Sequence, residues 1–501
     1  MHGRSRKRLS LALTRALTGA LVLGAGPALA ETLGDAIAMA YESNPTVQGQ
    51  RASLRALDET YEQAEAGYRP TASLQGTVTT DRYSQNARGL NRPIPGVTIP
   101  PVVGSNQTSG FALSVTQPIY TGGRVAAQVS AAEASILAGR EQLRATEETV
   151  LRDVITAYAD VRRDQQDVTI LGGDVALLLG ELDETRARFG VGAITRTDVA
   201  ETEARVAASQ AQLEAARARL GDSRANYASL VGRNPGALAP EPSLARGLPL
   251  NIDDAFERAE RNSPQLLQAD FTERSSAARL TQAKTQTRPT LSLQATLGYS
   301  GGQAGLASPF LNYSRDITAS AIASFPIFTG GLTSSQIRQA AETNNADRIG
   351  IEVARRQALL TVSQAWNALM GARASLAADE AQVRAANIAF EGSRQEARVG
   401  LRSVLDVLIA EQNLSAAQLA LTAARHDEYV SAAAVLGATG GLYVQDFAPD
   451  AVVYDPKTNL QRVRGKWPWT PWTPYVAALD TVGAPRTAPS PPLAFAGGVH
   501  R

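Results

Sequence analysis

The sequence predicts a mainly α-helical chain with transmembrane β-strands: an internally duplicated protomer, three copies of which close a 12-stranded β-barrel continued by a long α-helical barrel. Three observations carry this prediction: a repeat with a constant offset, proline-free heptad stretches, and strand candidates whose side chains alternate with period two.

Residues 1–30 read as a secretory signal, with basic Arg4, Arg6, Lys7 and Arg8, an apolar stretch over 16–26, and Ala28-Leu29-Ala30 as the small-residue cleavage site. Five of the 49 basic groups and none of the 48 acidic ones lie there, so the chain from Glu31 onward is net acidic by four. No basic field remains to attract nucleic acid. The 501 residues include no cysteine and three histidines, His2, His426 and His500. Zinc sites built on cysteine, disulfides and thiol nucleophiles are excluded, and no histidine cluster for a metal or triad is available. No cofactor and no catalytic constellation is expected, and no Walker-type phosphate loop occurs. After the signal, no run is apolar for long enough to form a membrane helix, so insertion into a bilayer falls to strands.

The repeat fixes the organisation. Asp35-Ala36 to Asn44-Pro45 recurs as Asp254-Ala255 to Ser263-Pro264, and Tyr68-Arg69-Pro70-Thr71 as Thr287-Arg288-Pro289-Thr290, both shifted by 219. Gln117-Pro118-Ile119-Tyr120-Thr121-Gly122-Gly123 recurs as Phe325-Pro326-Ile327-Phe328-Thr329-Gly330-Gly331, shifted by 208, and Asp198 and Asp406 keep that shift. A constant offset after each Gly-Gly means a rigid element of fixed length; the change of offset places a variable loop around 88–96, rich in proline and glycine. The expected divisions are a signal at 1–30, a first repeat at 31–232, a linker at 233–250, a second repeat at 251–440 and an extension at 441–501.

After Gly123, apolar residues recur every seven positions as Val129, Ile136, Leu143 and Val150, then as Val154, Val161, Val168, Val175, Leu182 and Phe189. The two series stand four apart, as the d and a positions of one heptad frame. The second half repeats the frame at Val362, Leu369, Leu376, Val383 and Phe390, and the chain returns after Gly192 and Gly400 with Val199, Val206, Leu213, Leu220 and with Val407, Leu414, Leu421. Each half is thus a helical hairpin with a glycine at its tip, where positive φ is cheap.

Four strands follow from alternation: Ala72, Leu74, Gly76, Val78; Phe111, Leu113, Val115; Leu291, Leu293, Ala295, Leu297, Tyr299; and Ile317, Ala319, Ala321, Ala323, Phe325, with Ser, Thr and Gln between them. Each is expected to run about ten residues, enough to cross a bilayer at a tilt. Tyr83, Tyr120, Tyr299, Phe310, Tyr313 and Phe328 near strand ends fit an interfacial aromatic belt. The alternation equally fits a soluble sheet with one face on a core. Four strands cannot close a membrane barrel, whereas three copies supply a barrel of strands above a tube of helices.

In this order, and twice, the Asn44-Pro45 segment, the Arg-Pro-Thr lead-in to each first strand, Gln117 to Gly123, and Val399-Gly400-Leu401-Arg402-Ser403 with Asp406-Val407-Leu408 resemble the TolC-type outer-membrane efflux proteins over 31–440. The resemblance implies a homotrimer in the lipid of the outer membrane with a long periplasmic tunnel. Its tips dock a periplasmic adaptor (membrane fusion) protein that links it to an inner-membrane transporter of RND or ABC type, for export of small molecules or proteins. It also implies a constriction near the tips, with Arg402 as the tying arginine, Asp198 and Thr197 as its partner positions and Asp406 as a ring aspartate. Val191, Gly192, Val399, Gly400 and Leu401 form the docking tips. Two positions depart from the family: Ile409 replaces its second aspartate and Ala397 a bracing tyrosine. The rival reading is a soluble periplasmic coiled-coil adaptor or structural stalk. The 441–501 extension, with Trp467, Trp469 and Trp472 among prolines, is expected to strap the helices and, beyond Pro485, to be disordered.

Overall fold

The computed structural model describes residues 30–85, 102–304, 313–465 and 470–482. The signal through residue 29, the variable loop at 88–96, Phe310, Trp467, Trp469 and the chain beyond Pro485 lie outside the described residues.

Each repeat runs helix, helix, strand, strand, long helix, shorter helix. In the first these are α1 Leu33–Ser43, α2 Pro45–Glu65, β1 Thr71–Gln85, β2 Val102–Tyr120, α3 Arg124–Gly190 and α4 Arg196–Val231. The second has α5 Ile252–Asn262, α6 Pro264–Thr285, β3 Thr290–Ala304, β4 Tyr313–Ser324, α7 Leu332–Arg398 and α8 Val404–Ala438. Local chemistry sets the boundaries. Thr32 and Asp35 make a reciprocal capping box on α1, while Asn44 caps α2 ahead of a proline that needs no N–H donor there.

The two long helices are 67 residues each, about 100 Å at the α-helical rise. Both begin after a Gly at φ 87°. The heptad residues Ile136, Leu143, Val150, Val154, Val161 and Leu182 are buried along α3, and Val362, Leu369 and Phe390 along α7. Phe189, the last of the second series, is exposed, one residue before α3 ends at the tip.

The four strands form one antiparallel sheet in the order β1-β2-β3-β4. Its register puts every expected apolar face on one side: Leu74 stands beside Leu113, Leu113 beside Leu297, and Leu297 beside Ile317. The next row is Ala72, Val115, Ala295, Ala319, while Ser73, Ser114, Thr296 and Thr318 share the opposite face. Leu74 is 73% exposed and no core among the described residues covers that row, which a soluble sheet would not leave open. The strands are longer than the ten residues expected, at 15, 19, 15 and 12. Apolar alternation stops at Val78, yet ladder pairing continues through Thr79 to Gln85 opposite Thr108 to Val102. Backbone bonds hold the strands where the side chains no longer face lipid.

The main core sits where α1, α3, α4 and α8 meet below the sheet, around Tyr158, Val161, Tyr227, Ala433 and Val435. The extension folds as a strap. Short α9 Val444–Phe447 packs on α1, and α10 Pro456–Arg464 lies along α2, with Asn459 donating to Asp58 and Arg464 stacked over Tyr61. Then α11 Thr473–Asp480 reaches the turn between β2 and α3.

Candidate functional site

The two hairpin tips are near copies. Gly192 and Gly400 take φ 74° and 79°, and the backbone closes alike: Ala193 N–H donates to Arg188 O and Leu401 N–H to Glu396 O, each at 2.9 Å. The returning helices start on matching capping boxes. Thr195 Oγ1 donates to Asp198 Oδ2 at 2.8 Å and accepts from the Asp198 N–H; Ser403 and Asp406 do the same at 2.8 Å. These hydroxyl bonds, with the backbone N–H of Thr195 and Ser403 added, hold both carboxyls below the usual aspartate range.

The site residues expected from sequence all gather at this end of the molecule. Thr197 is exposed on the first turn of α4, and Asp198 follows it. Arg402 lies in the tip turn, where its Nε donates to Glu396 Oε2 at 2.5 Å. Arg402 and Asp406 share a groove of about 440 Å³ between α7 and α8, floored by Ala385, Ala386 and Ala389. Ile409 lines the same groove and is exposed. Within one chain the structure brings Arg402 to Glu396 and Asp406, and does not bring it to Asp198.

The hairpin tips are apolar and bare. Val191 is 81% exposed and Leu401 77%, with Val399 and Leu405 also open. Just above them the hairpins are joined by Leu178, Leu182, Val206 and Leu408, and by Arg394 on α7 at 3.6 Å from Glu181 on α3. Sequence reasoning missed the capping role of both aspartates, although Thr195-x-x-Asp198 and Ser403-x-x-Asp406 carry the signal. It also missed Glu396, six residues from Arg402, at no helical spacing.

Comparison with known proteins agrees with the duplicated fold. The outer membrane efflux protein family matches residues 36–233 and 255–441, once over each half of the duplication. The chain belongs to the outer membrane efflux protein family. Among relatives, it is 32% identical over 451 residues to the outer membrane efflux protein BepC of Brucella suis biovar 1, covering 90% of this chain and 94% of that one. It is 25% identical to the outer membrane protein TolC of Escherichia coli, covering 92% of each. Among solved structures, the outer membrane protein VceC of Vibrio cholerae superposes with a TM-score of 0.66 at 20% identity, covering 82% of this chain and 96% of that one.

As an outer membrane efflux protein, the chain is an exit duct in the outer membrane with a periplasmic helical extension, and not an enzyme. It works as a homotrimer with a periplasmic adaptor and an inner-membrane transporter. The soluble stalk or adaptor reading is set aside.

Proposed function

We propose that this duct is closed at its hairpin tips by ties between copies, Arg402 of one copy reaching Asp198 and Thr197 of the next, with Asp406 facing the passage. In this reading residues 31–232 and 251–440 are the two repeats and 233–250 joins them. The observation that carries it is the spare bonding of one chain's tip. Arg402 has a single carboxylate partner on its own turn and is half-exposed, and a guanidinium offers five donors. The bare Val191, Val399 and Leu401 then dock a periplasmic adaptor, since apolar tips in water gain by burial. Energy comes from the transporter, for which this chain holds no phosphate loop.

Because the sequence has no cysteine, the test is clean. The double variant Asp198→Cys and Arg402→Cys, oxidised in the assembled protein, is expected to yield covalently linked trimers that stay closed in planar bilayers until reduced. Monomers alone after oxidation would remove the tie.

A further inference from the structure

The helix α11 of the extension has two unlike sides. Inward it turns Val476 and Asp480. Val476 packs with Tyr68 and Val125, and fully buried Asp480 accepts from the Thr121 N–H at 2.6 Å, the Thr121 hydroxyl at 2.9 Å and the Gly123 N–H at 3.2 Å. Outward it shows Trp472, Tyr475, Leu479 and Val482, exposed by 42%, 77%, 50% and 67%. Steps of three, four and three residues set these four side chains in one stripe of a helix. Pro474, Ala478 and Thr481 are exposed as well and form a separate sector beside the stripe.

The bonds that hold α11 fix the side of the sheet on which it lies. Trp472 Nε1 donates to Gln117 Oε1 at 3.0 Å, and the Tyr120 hydroxyl donates to Val482 O at 3.3 Å. In the β2–β3 register Gln117 stands opposite Leu293 and Tyr120 opposite Leu291, so both belong to the face that carries the lipid row of Leu113, Leu297 and Ile317. The helix therefore lies on the lipid side of the sheet, at the end where β2 passes into α3. In the order β1-β2-β3-β4, β2 is an inner strand, whereas copies that close a barrel join through the free edges of β1 and β4.

We propose that α11 is an interfacial anchor, lying in the headgroup region of the leaflet facing the periplasm with its stripe of Trp472, Tyr475, Leu479 and Val482 turned to lipid. Continuity decides the occupant: the row of Leu113 and Leu293 on the same face is committed to lipid, and the stripe extends that surface beyond the last strand residues. Tryptophan and tyrosine suit this depth, where an apolar ring meets the acyl boundary and its polar edge stays hydrated or bonded. Eight residues are too few to hold a bilayer by themselves; the buried Asp480 clamp fixes the helix at that level, three times in a trimer.

The chain has no cysteine, so a single introduced label reports a single position. Nitroxide labels on Tyr475→Cys, Leu479→Cys and Thr481→Cys are read in the full-length mature trimer, reconstituted in vesicles of phosphatidylethanolamine and phosphatidylglycerol. Relaxation by dissolved oxygen is compared with relaxation by a water-soluble nickel chelate. Oxygen is expected to exceed the chelate several-fold at positions 475 and 479, with the order reversed at 481. Preference for the chelate at all three positions would put the helix in water and overturn the anchor. Labels at 475 and 479 reached by neither reagent would reveal a protein cover and overturn it as well. The double variant Tyr475→Asp and Leu479→Asp is expected to remain a trimer by mass in detergent; loss of the trimer would give the stripe to a second copy, against the proposal.

Discussion

Arg402 and Glu396 close the second hairpin tip upon itself, Nε to Oε2 at 2.5 Å, while the two aspartates nearby are already engaged as helix caps. The tip therefore has its own rest position within one chain, and a tie between copies must compete with it. We propose that Arg402 exchanges between Glu396 and a neighbouring copy, a movement that breaks no buried core.

Removing Arg402 tests this. Arg402→Ser is expected to raise single-channel conductance in planar bilayers and antibiotic leakage in cells by a few-fold rather than by orders of magnitude, since exposed ion pairs are weak and salt-screened. Glu396→Gln frees Arg402 for the tie between copies and is expected to lower conductance. A rise for both variants would contradict the exchange.

Stability should fall as pH rises from acid to mildly alkaline. Burial beside Glu141 and Glu147, only partly offset by Arg144, pushes the Glu148 carboxyl up from 4.5 to about 7. A raised pKa means that the stability is fully present below the unfolded value and is lost as pH climbs through the folded one, at a cost of about 3 kcal/mol per chain. His426 acts with the same sign: burial pulls its pKa down, but Asp160 on α3 and Asp427, each 2.9 Å away, outweigh that and lift it above 6.5. Glu148→Gln is expected to flatten the decline in melting temperature between about pH 5 and pH 8. An unchanged slope would count against Glu148 as its source.

One face of α7 waits for a second copy. Ile349, Val353 and Leu360 are exposed, and their equivalents in the first repeat are Glu141 and Ala145, half-buried in one chain's own packing, and exposed Arg152. Burying a side chain of this size contributes about 1.5–3 kcal/mol. Val353→Asp is therefore expected to shift the purified protein from trimer to monomer by mass in detergent, with helix content kept. A stable trimer would place the contact elsewhere.

Much of this was legible from periodicity. The row Leu74, Leu113, Leu297, Ile317 follows from alternation alone, because lipid on one side forces every strand to show it the same face. The heptads gave Val154, Val161 and Val362 as fully buried for the same reason. What escaped is what local pattern does not encode. Polar strand ends past Val78 are held by backbone bonds, Asp480 reaches a turn 359 residues earlier, and Arg402 finds its partner across an irregular turn.

Three copies of this chain form a membrane duct, which we propose is closed at its helical tips. The decisive measurement is planar-bilayer conductance of the detergent-extracted mature protein, with its mass in detergent determined on the same sample. A trimer with low, stable conductance is expected. A water-soluble protein without channel activity would contradict it.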